Sequence, residues 1–273
     1  MRPTTTGGSG VLTALGQEAP LALAIQTLGR FRIVRQGVVV EAAEWRSRKA
    51  RDALKILIAR RGHKTPRDVL LETLWPGEEP TAASRRLSVA LSTIRAILDP
   101  AHEFSSDHFL TGDRDAVALN LDHASLDIES FLVDAESALS LLRNGKGDEA
   151  RKSLEAAEAA YTGDFLEEDA YADWAVPLRE EARAVYLNVV RALARIADDV
   201  DIAVRFRLRI LEHDPYDEET QLGLAEVLLS AGRHGEARRV YRRYVARMGE
   251  IGVEPAAFPA RSGATSGLLA QRS

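Results

Sequence analysis

Residues 81–98 read Thr-Ala-Ala-Ser-Arg-Arg-Leu-Ser-Val-Ala-Leu-Ser-Thr-Ile-Arg-Ala-Ile-Leu, and their polar side chains are the ones most able to bind something. Wound at ~100° per residue, the stretch gathers Leu87, Ala90, Leu91, Ile94, Ile97 and Leu98 into one apolar stripe. The opposite side carries Arg85, Ser88, Val89, Ser92, Arg95 and Ala96, with Arg86 adjoining, and residues 81–98 contain no acid. Guanidiniums and hydroxyls are donors to base edges and phosphates, Val89 suits a thymine methyl, and no carboxylate would repel phosphate. The plainer alternative is an amphipathic helix with a solvated Ser/Arg surface.

Other chemistry finds less support. Asp164, Glu167, Glu168 and Asp169 could serve acid/base work or a metal, but no histidine or second cluster is tied to them, so a solvated loop is expected. Six histidines (63, 102, 108, 123, 213, 234) show no i, i+4 pairing, and the absence of cysteine removes thiol nucleophiles, thiolate metal sites and disulfides. No Gly-x4-Gly-Lys-Ser/Thr phrase is present to cradle a nucleotide. Tyr161, Phe165, Tyr171 and Trp174 could line a ligand pocket, although core packing is the expectation. No catalytic residue, cofactor or metal is expected.

The elements that must position the 81–98 face are legible around it. In 273 residues, 45% apolar, there is material for one large or two medium domains, and no apolar run long enough to span a bilayer. With no basic-then-apolar signal segment at its start, the chain is expected to be cytoplasmic, and nucleoid-associated if the 81–98 face binds DNA. The net charge of −5 hides an asymmetry: residues 20–121 hold 16 Lys/Arg against 12 Asp/Glu, residues 122–273 hold 19 against 28. After a leader over 1–19 that reads as disordered, residues 21–25, 31–35 and 38–40 have strand character, with turns at Gly29 and Gln36-Gly37. A helix starts near Ser47, with Ala50, Ala53, Leu54, Leu57 and Ile58 on one stripe, and stops at Gly62. Thr65-Pro66 predicts the next start, a hydroxyl cap followed by proline, for a helix burying Val69, Leu70 and Leu74 and broken by Pro76-Gly77. Residues 109–111 and 117–119 flank Gly112-Asp-Arg-Asp115 as a hairpin. Strands, three helices and a hairpin make a winged helix-turn-helix, with Arg114 at the wing tip. Lys64, Arg67 and the helix start at Thr65 would hold phosphate through charge and exposed backbone N–H groups.

The second half reads as all-helical and repetitive. Gly145-Lys-Gly-Asp-Glu-Ala150 and Gly232-Arg-His-Gly-Glu-Ala237 are one turn-into-helix phrase used twice. Ala203 lies 34 residues before Ala237, and Pro215 lies 12 after Ala203, the tetratricopeptide period. The 53-residue step from Ala150 to Ala203 holds an insertion containing Tyr161-Thr-Gly-Asp-Phe-Leu166 and Trp174.

Residues 21–121 resemble the OmpR-type winged helix. "Trp45-Arg-Ser-Arg-Lys-Ala-Arg-Asp-Ala-Leu54", "Leu74-Trp-Pro-Gly77" and "Ala83-Ser-Arg-Arg-Leu-Ser-Val-Ala-Leu-Ser-Thr-Ile-Arg95" are similar to SARP-type activators, the Streptomyces antibiotic regulatory protein family. Ala116-Val117 stand where that family usually has Gly-Tyr. The insertion and the ending Gly249-Glu-Ile-Gly-Val-Glu-Pro255 resemble the bacterial transcriptional activator domain of those proteins. The resemblance implies a multidomain, mainly α chain: a leader over 1–19, a winged helix over 20–121, a tetratricopeptide-like activator domain over 122–255, and a disordered tail over 256–273. It further implies a transcriptional activator that binds direct repeats in double-stranded DNA, self-associates there and recruits RNA polymerase through the loop at Gly77, Glu78 and Glu79, which would point away from DNA. The competing expectation is a helical-repeat scaffold for protein partners whose winged helix does not bind DNA.

Overall fold

The computed structural model describes residues 23–259, so the expectations for residues 1–19 and 260–273 lie outside it. The described chain forms two units, one from residues 23–25 and 32–126, the other from residues 26–31 and 127–259.

The first unit opens with β1 (Leu23–Gln26), β2 (Arg32–Arg35) and β3 (Val38–Val39). β2 and β3 pair antiparallel, Val34 opposite Val39, through the Gln36-Gly37 turn. Ser47 caps α1 (Arg48–Ala59), its Oγ accepting the Ala50 amide at 3.2 Å. The stripe Ala50, Ala53, Leu54, Leu57 and Ile58 is fully buried, as its spacing requires. Next come β4 (Thr65–Pro66), α2 (Arg67–Leu74), α3 (Pro80–Leu98), β5 (Leu110–Gly112), β6 (Ala116–Leu119) and β7 (Ser125–Leu126). The sheets run β3-β2-β1-β7, with β7 parallel to β1, and β4-β6-β5. In the hairpin of β5 and β6, a Cβ at Gly112 would lie 2.8 Å from the Ala116 carbonyl oxygen, so only glycine fits there.

Two local expectations fail in this unit. Thr65 does not cap a helix: it is extended, paired with Val117 of β6, and its hydroxyl is buried with no partner. The β4–β6 ladder holds its backbone extended, which moves the N-cap to Pro66. Val69 is 37% exposed, because α2 has only eight residues and buries just Leu70 and Leu74.

The second unit contains α4 (Asp127–Arg143), α5 (Gly147–Ala160), α6 (Val176–Ile196), α7 (Val200–His213), α8 (Glu218–Ser230) and α9 (His234–Glu250). Consecutive helices pack as neighbours, and the repeated phrase folds the same way twice. Gly145 and Gly232 take left-handed φ values of 75° and 74°. At each, the glycine amide and the next one turn back onto the preceding helix: Gly145 to Leu142 and Lys146 to Leu141, Gly232 to Leu229 and Arg233 to Leu228. These reverse bonds stop one helix so that the next can start. Ala150 and Ala237 are fully buried, which lets the paired backbones approach. Leu224, Ala225, Leu228, Ala237 and Val240 form a cluster with Phe258 against it.

The segment at residues 26–31 is sewn into this unit. Asp127, at the start of α4, accepts the Thr27 amide on both oxygens (2.7 and 2.8 Å), the Thr27 hydroxyl (2.6 Å) and the Leu28 amide (3.0 Å). Gly29 donates to the Asp164 carbonyl, and Leu166 donates to that of Thr27. After α9, the Ala256 amide and carbonyl bond the hydroxyls of Tyr244 and Tyr241, and Phe258 packs edge-on to Tyr241. Ala256 and Phe258 are thus held against α9, counter to the expectation of a disordered tail from residue 256.

Candidate nucleic-acid interface

α3 begins at a proline, and the preceding Glu79 is its cap, with Oε2 accepting the Ala82 amide at 2.8 Å. The amides of Thr81 and Ala82 hold this carboxyl below the ordinary glutamate range. The neighbouring acid, Glu78, forms an ion pair with Arg86 on the second turn. Both acids of the 77–79 loop therefore have work within the domain, which sequence reading missed. The signal was present in part: an acid directly before a proline and a helix is a capping pattern.

The inner stripe of α3 is buried as expected, joined by Ala83. Arg85, Arg86, Ser88, Val89 and Ser92 are exposed, and Val89 keeps 66% of its surface open. Arg85 has no bonded partner among the described residues, so its guanidinium presents all its donors outward. The Ser88 hydroxyl rests on the Ser84 carbonyl at 3.0 Å and can turn to another acceptor. Arg95 differs from the expectation of a groove-facing donor. It is half-buried, and its Nε donates to the Ser106 carbonyl at 2.9 Å, tying α3 to the loop before β5.

The second expected cluster converges on Asp113. Lys64 Nζ lies 2.8 Å from its carboxylate, and Arg67 Nε donates to its carbonyl at 3.1 Å. The same carboxylate accepts the amides of Asp115 and Ala116, folding the wing turn. Its bond with Lys64, with those amides, holds Asp113 well below the usual carboxylate range and raises Lys64. Arg114 stands exposed at the tip beside it. The amides expected to greet phosphate at the start of α2 are partly spent: Arg67 donates to the Asp115 carbonyl and Val69 to the Asp68 carboxylate. What remains for phosphate there is side-chain charge and the Asp68 amide, which has no bonded partner among the described residues. The role of Asp113 was not legible because Lys64 lies 49 residues away, although Asp followed by donors two and three residues on is a turn signature.

The acidic run in the second unit is architectural at its first member. Asp164 accepts the Tyr161 hydroxyl at 2.7 Å and pairs with Arg183. Burial opposes its charge, but Arg183 and Tyr161 outweigh that and keep its carboxyl below the ordinary range. Arg179, itself buried, donates to the carbonyls of Phe165, Leu166, Asp169 and Ala170 and so fixes the loop. Of the four aromatics expected in the core, Tyr161 and Phe165 are buried and Trp174 is half-buried. Tyr171, one residue after the last carbonyl that Arg179 holds, is fully exposed. Among the described residues no group of three or more His, Asp or Glu could hold a metal, and no helix is long and apolar enough to cross a membrane.

Residues 126–259 match the family described as the bacterial transcriptional activator domain. Among solved structures, Mycobacterium tuberculosis EmbR, determined in complex with a low-affinity phosphopeptide, shares the fold with a TM-score of 0.70 at 19% identity. The alignment covers 87% of this chain and 62% of the EmbR chain, so the chain spans about three-fifths of EmbR's length. No curated protein matches the sequence.

Proposed function

We propose that this chain, in which a winged helix precedes a bacterial transcriptional activator domain at residues 126–259, acts as a SARP-type transcriptional activator on double-stranded DNA. The observation that carries the reading is the outer face of α3. It combines an unpartnered guanidinium at Arg85, hydroxyls at Ser88 and Ser92, an open Val89 and no carboxylate, on a helix whose other face is fully packed. Such a face fits the ~12 Å major groove, with Arg85 on a guanine edge and Val89 on a thymine methyl. Lys64, Arg67 and Arg114 around the wing supply charge to phosphate, and Arg86 reaches DNA only by leaving Glu78. The activator domain holds neighbouring copies together on direct repeats, and the 77–79 loop faces RNA polymerase, in the cytoplasm.

Selection of bound duplexes from a random pool, followed by titration of Arg85→Ala on the selected site, tests this. Loss of about 1–3 kcal/mol on the selected site, with little change on unrelated duplexes, is expected for a bidentate guanine contact. Absence of salt-dependent duplex binding by the intact chain would instead make it a protein-binding scaffold.

A further inference from the structure

The activator domain lies in the acidic half of the chain, with 28 Asp/Glu against 19 Lys/Arg over residues 122–273. Its last helix runs against that balance. α9 carries Arg238, Arg239, Arg242 and Arg243, all exposed, at the i, i+1, i+4, i+5 spacing that keeps them on one side of a helix. The other arginines nearby are occupied: Arg233 pairs with Glu236 and Asp201, and Arg247 donates to the Pro215 carbonyl. Glu236, gripped by Arg233 through both oxygens, reaches Arg239 only as a more distant charge. Arg238 lies over the Phe258 ring, 5.6 Å from its centre, which steadies its stem without neutralising it. No ion pair engages any of the four among the described residues.

We infer that this arginine stripe on α9 is a second, sequence-independent contact for the DNA phosphate backbone. Four like charges within two turns repel one another, and a polyanion removes that repulsion. From Arg238 to Arg243 the helix rises about 7.5 Å, at ~1.5 Å per residue. That is roughly two phosphate steps along one strand, at ~3.4 Å of axis each. Guanidinium forks also match phosphate oxygens better than lysine does. An acidic protein surface is the rival partner, but protein interfaces centre on apolar or aromatic anchors. α9 exposes no large apolar side chain; Ile251 and Val253, the nearest, come after the helix. A purely cationic stripe is what a phosphate contact requires.

The inference rests on the DNA-binding reading above, and the test separates the two. The full chain and its Arg238→Gln/Arg239→Gln/Arg242→Gln/Arg243→Gln variant are titrated with a long mixed-sequence duplex across a salt series. If three of the four guanidiniums displace counterions, the variant's log–log salt slope falls by about 2.7, a roughly 40-fold difference in affinity loss between about 50 and about 200 mM salt. The corresponding four Arg→Lys changes keep the charge and restore the slope, which a merely structural role for the stripe would not. Equal slopes for wild type and the Gln variant overturn the inference while leaving the winged helix as the reader. Unchanged slopes together with lost cooperativity on tandem sites assign the stripe to an acidic protein surface, and also overturn it. A wild-type chain that binds no duplex overturns the DNA-binding reading itself.

Discussion

The bonds between Asp127 and residues 27–28 allow a quantitative test of how the second unit is held together. Asp127→Ala removes a carboxylate that accepts four hydrogen bonds from that segment, and Thr27 itself is fully buried. Three donors, the amides of Thr27 and Leu28 and the Thr27 hydroxyl, then lose their acceptor. A buried donor left unsatisfied costs about 1–3 kcal/mol, so three cost about 3–9 kcal/mol if the segment stays in place and less if it pulls out to find water. With a urea m-value of about 2 kcal/mol/M, the midpoint of the second unit falls by roughly 1.5–4.5 M, and by less if the segment pulls out. Trp174 lies in this unit, whereas Trp45 and Trp75 lie in the other, so a variant retaining only Trp174 reports the relevant transition. Asp127→Asn should recover a minority of the loss, because an amide offers one oxygen where the carboxylate offers two. A fragment of residues 126–259, which lacks residues 26–31 altogether, should unfold at a similarly lowered midpoint. An unchanged Trp174 midpoint in Asp127→Ala would refute the reasoning and reduce residues 26–31 to a passenger on the domain.

Three further outcomes are expected. Glu79→Ala should cost about 1 kcal/mol by removing the α3 cap while Glu79→Ser costs less, so a fair test of the proposed polymerase contact combines Glu78→Ala with Glu79→Ser; DNA binding that is undiminished, or tighter because Arg86 is released from Glu78, with reduced promoter transcription supports the loop's role, and normal transcription removes it. His108 is stacked between Phe104 and His123, with ring centres 4.1 and 3.7 Å away, and burial, then the neighbouring imidazole, depresses its pKa below the ordinary value against the pull of Asp99. The unfolded chain therefore binds more protons, the first unit should lose stability as pH drops below about 6.5, and His108→Phe should flatten that fall in a Trp75-monitored melt. Two motifs in phase should bind cooperatively, half a helical turn of added spacing should abolish the gain, and a winged-helix fragment should end at Leu126, not Leu121, so that β7 stays paired with β1; equal affinity for one motif and two would mean that copies act independently.

The faces that had to be buried were determined by the sequence alone. A 3.6-residue period leaves one solution for where Ala50, Leu54 and Leu57, or Leu87, Leu91 and Ile94, can go, and each is buried. The Gly145 and Gly232 phrases carry their own geometry, since a glycine at positive φ lets its own amide and the next one bond back onto the helix it ends. Local chemistry also marked the wing, because Gly112 and Asp113 close the turn through atoms within four residues. Distant partners were not legible. Thr65 became a strand because Val117, 52 residues later, offered it a ladder, and that bond outweighed a locally favourable cap. Arg95 turned to Ser106, and Glu78 to Arg86, for reasons of reach that exist only once the helices are placed. Residues 26–31 left the unit of their neighbours because Asp127, 100 positions beyond Thr27, gathers three of their donors. Local propensities are worth tenths of a kcal/mol to about one per residue, whereas satisfying a buried donor is worth about 1–3, so where the two compete the tertiary partner decides.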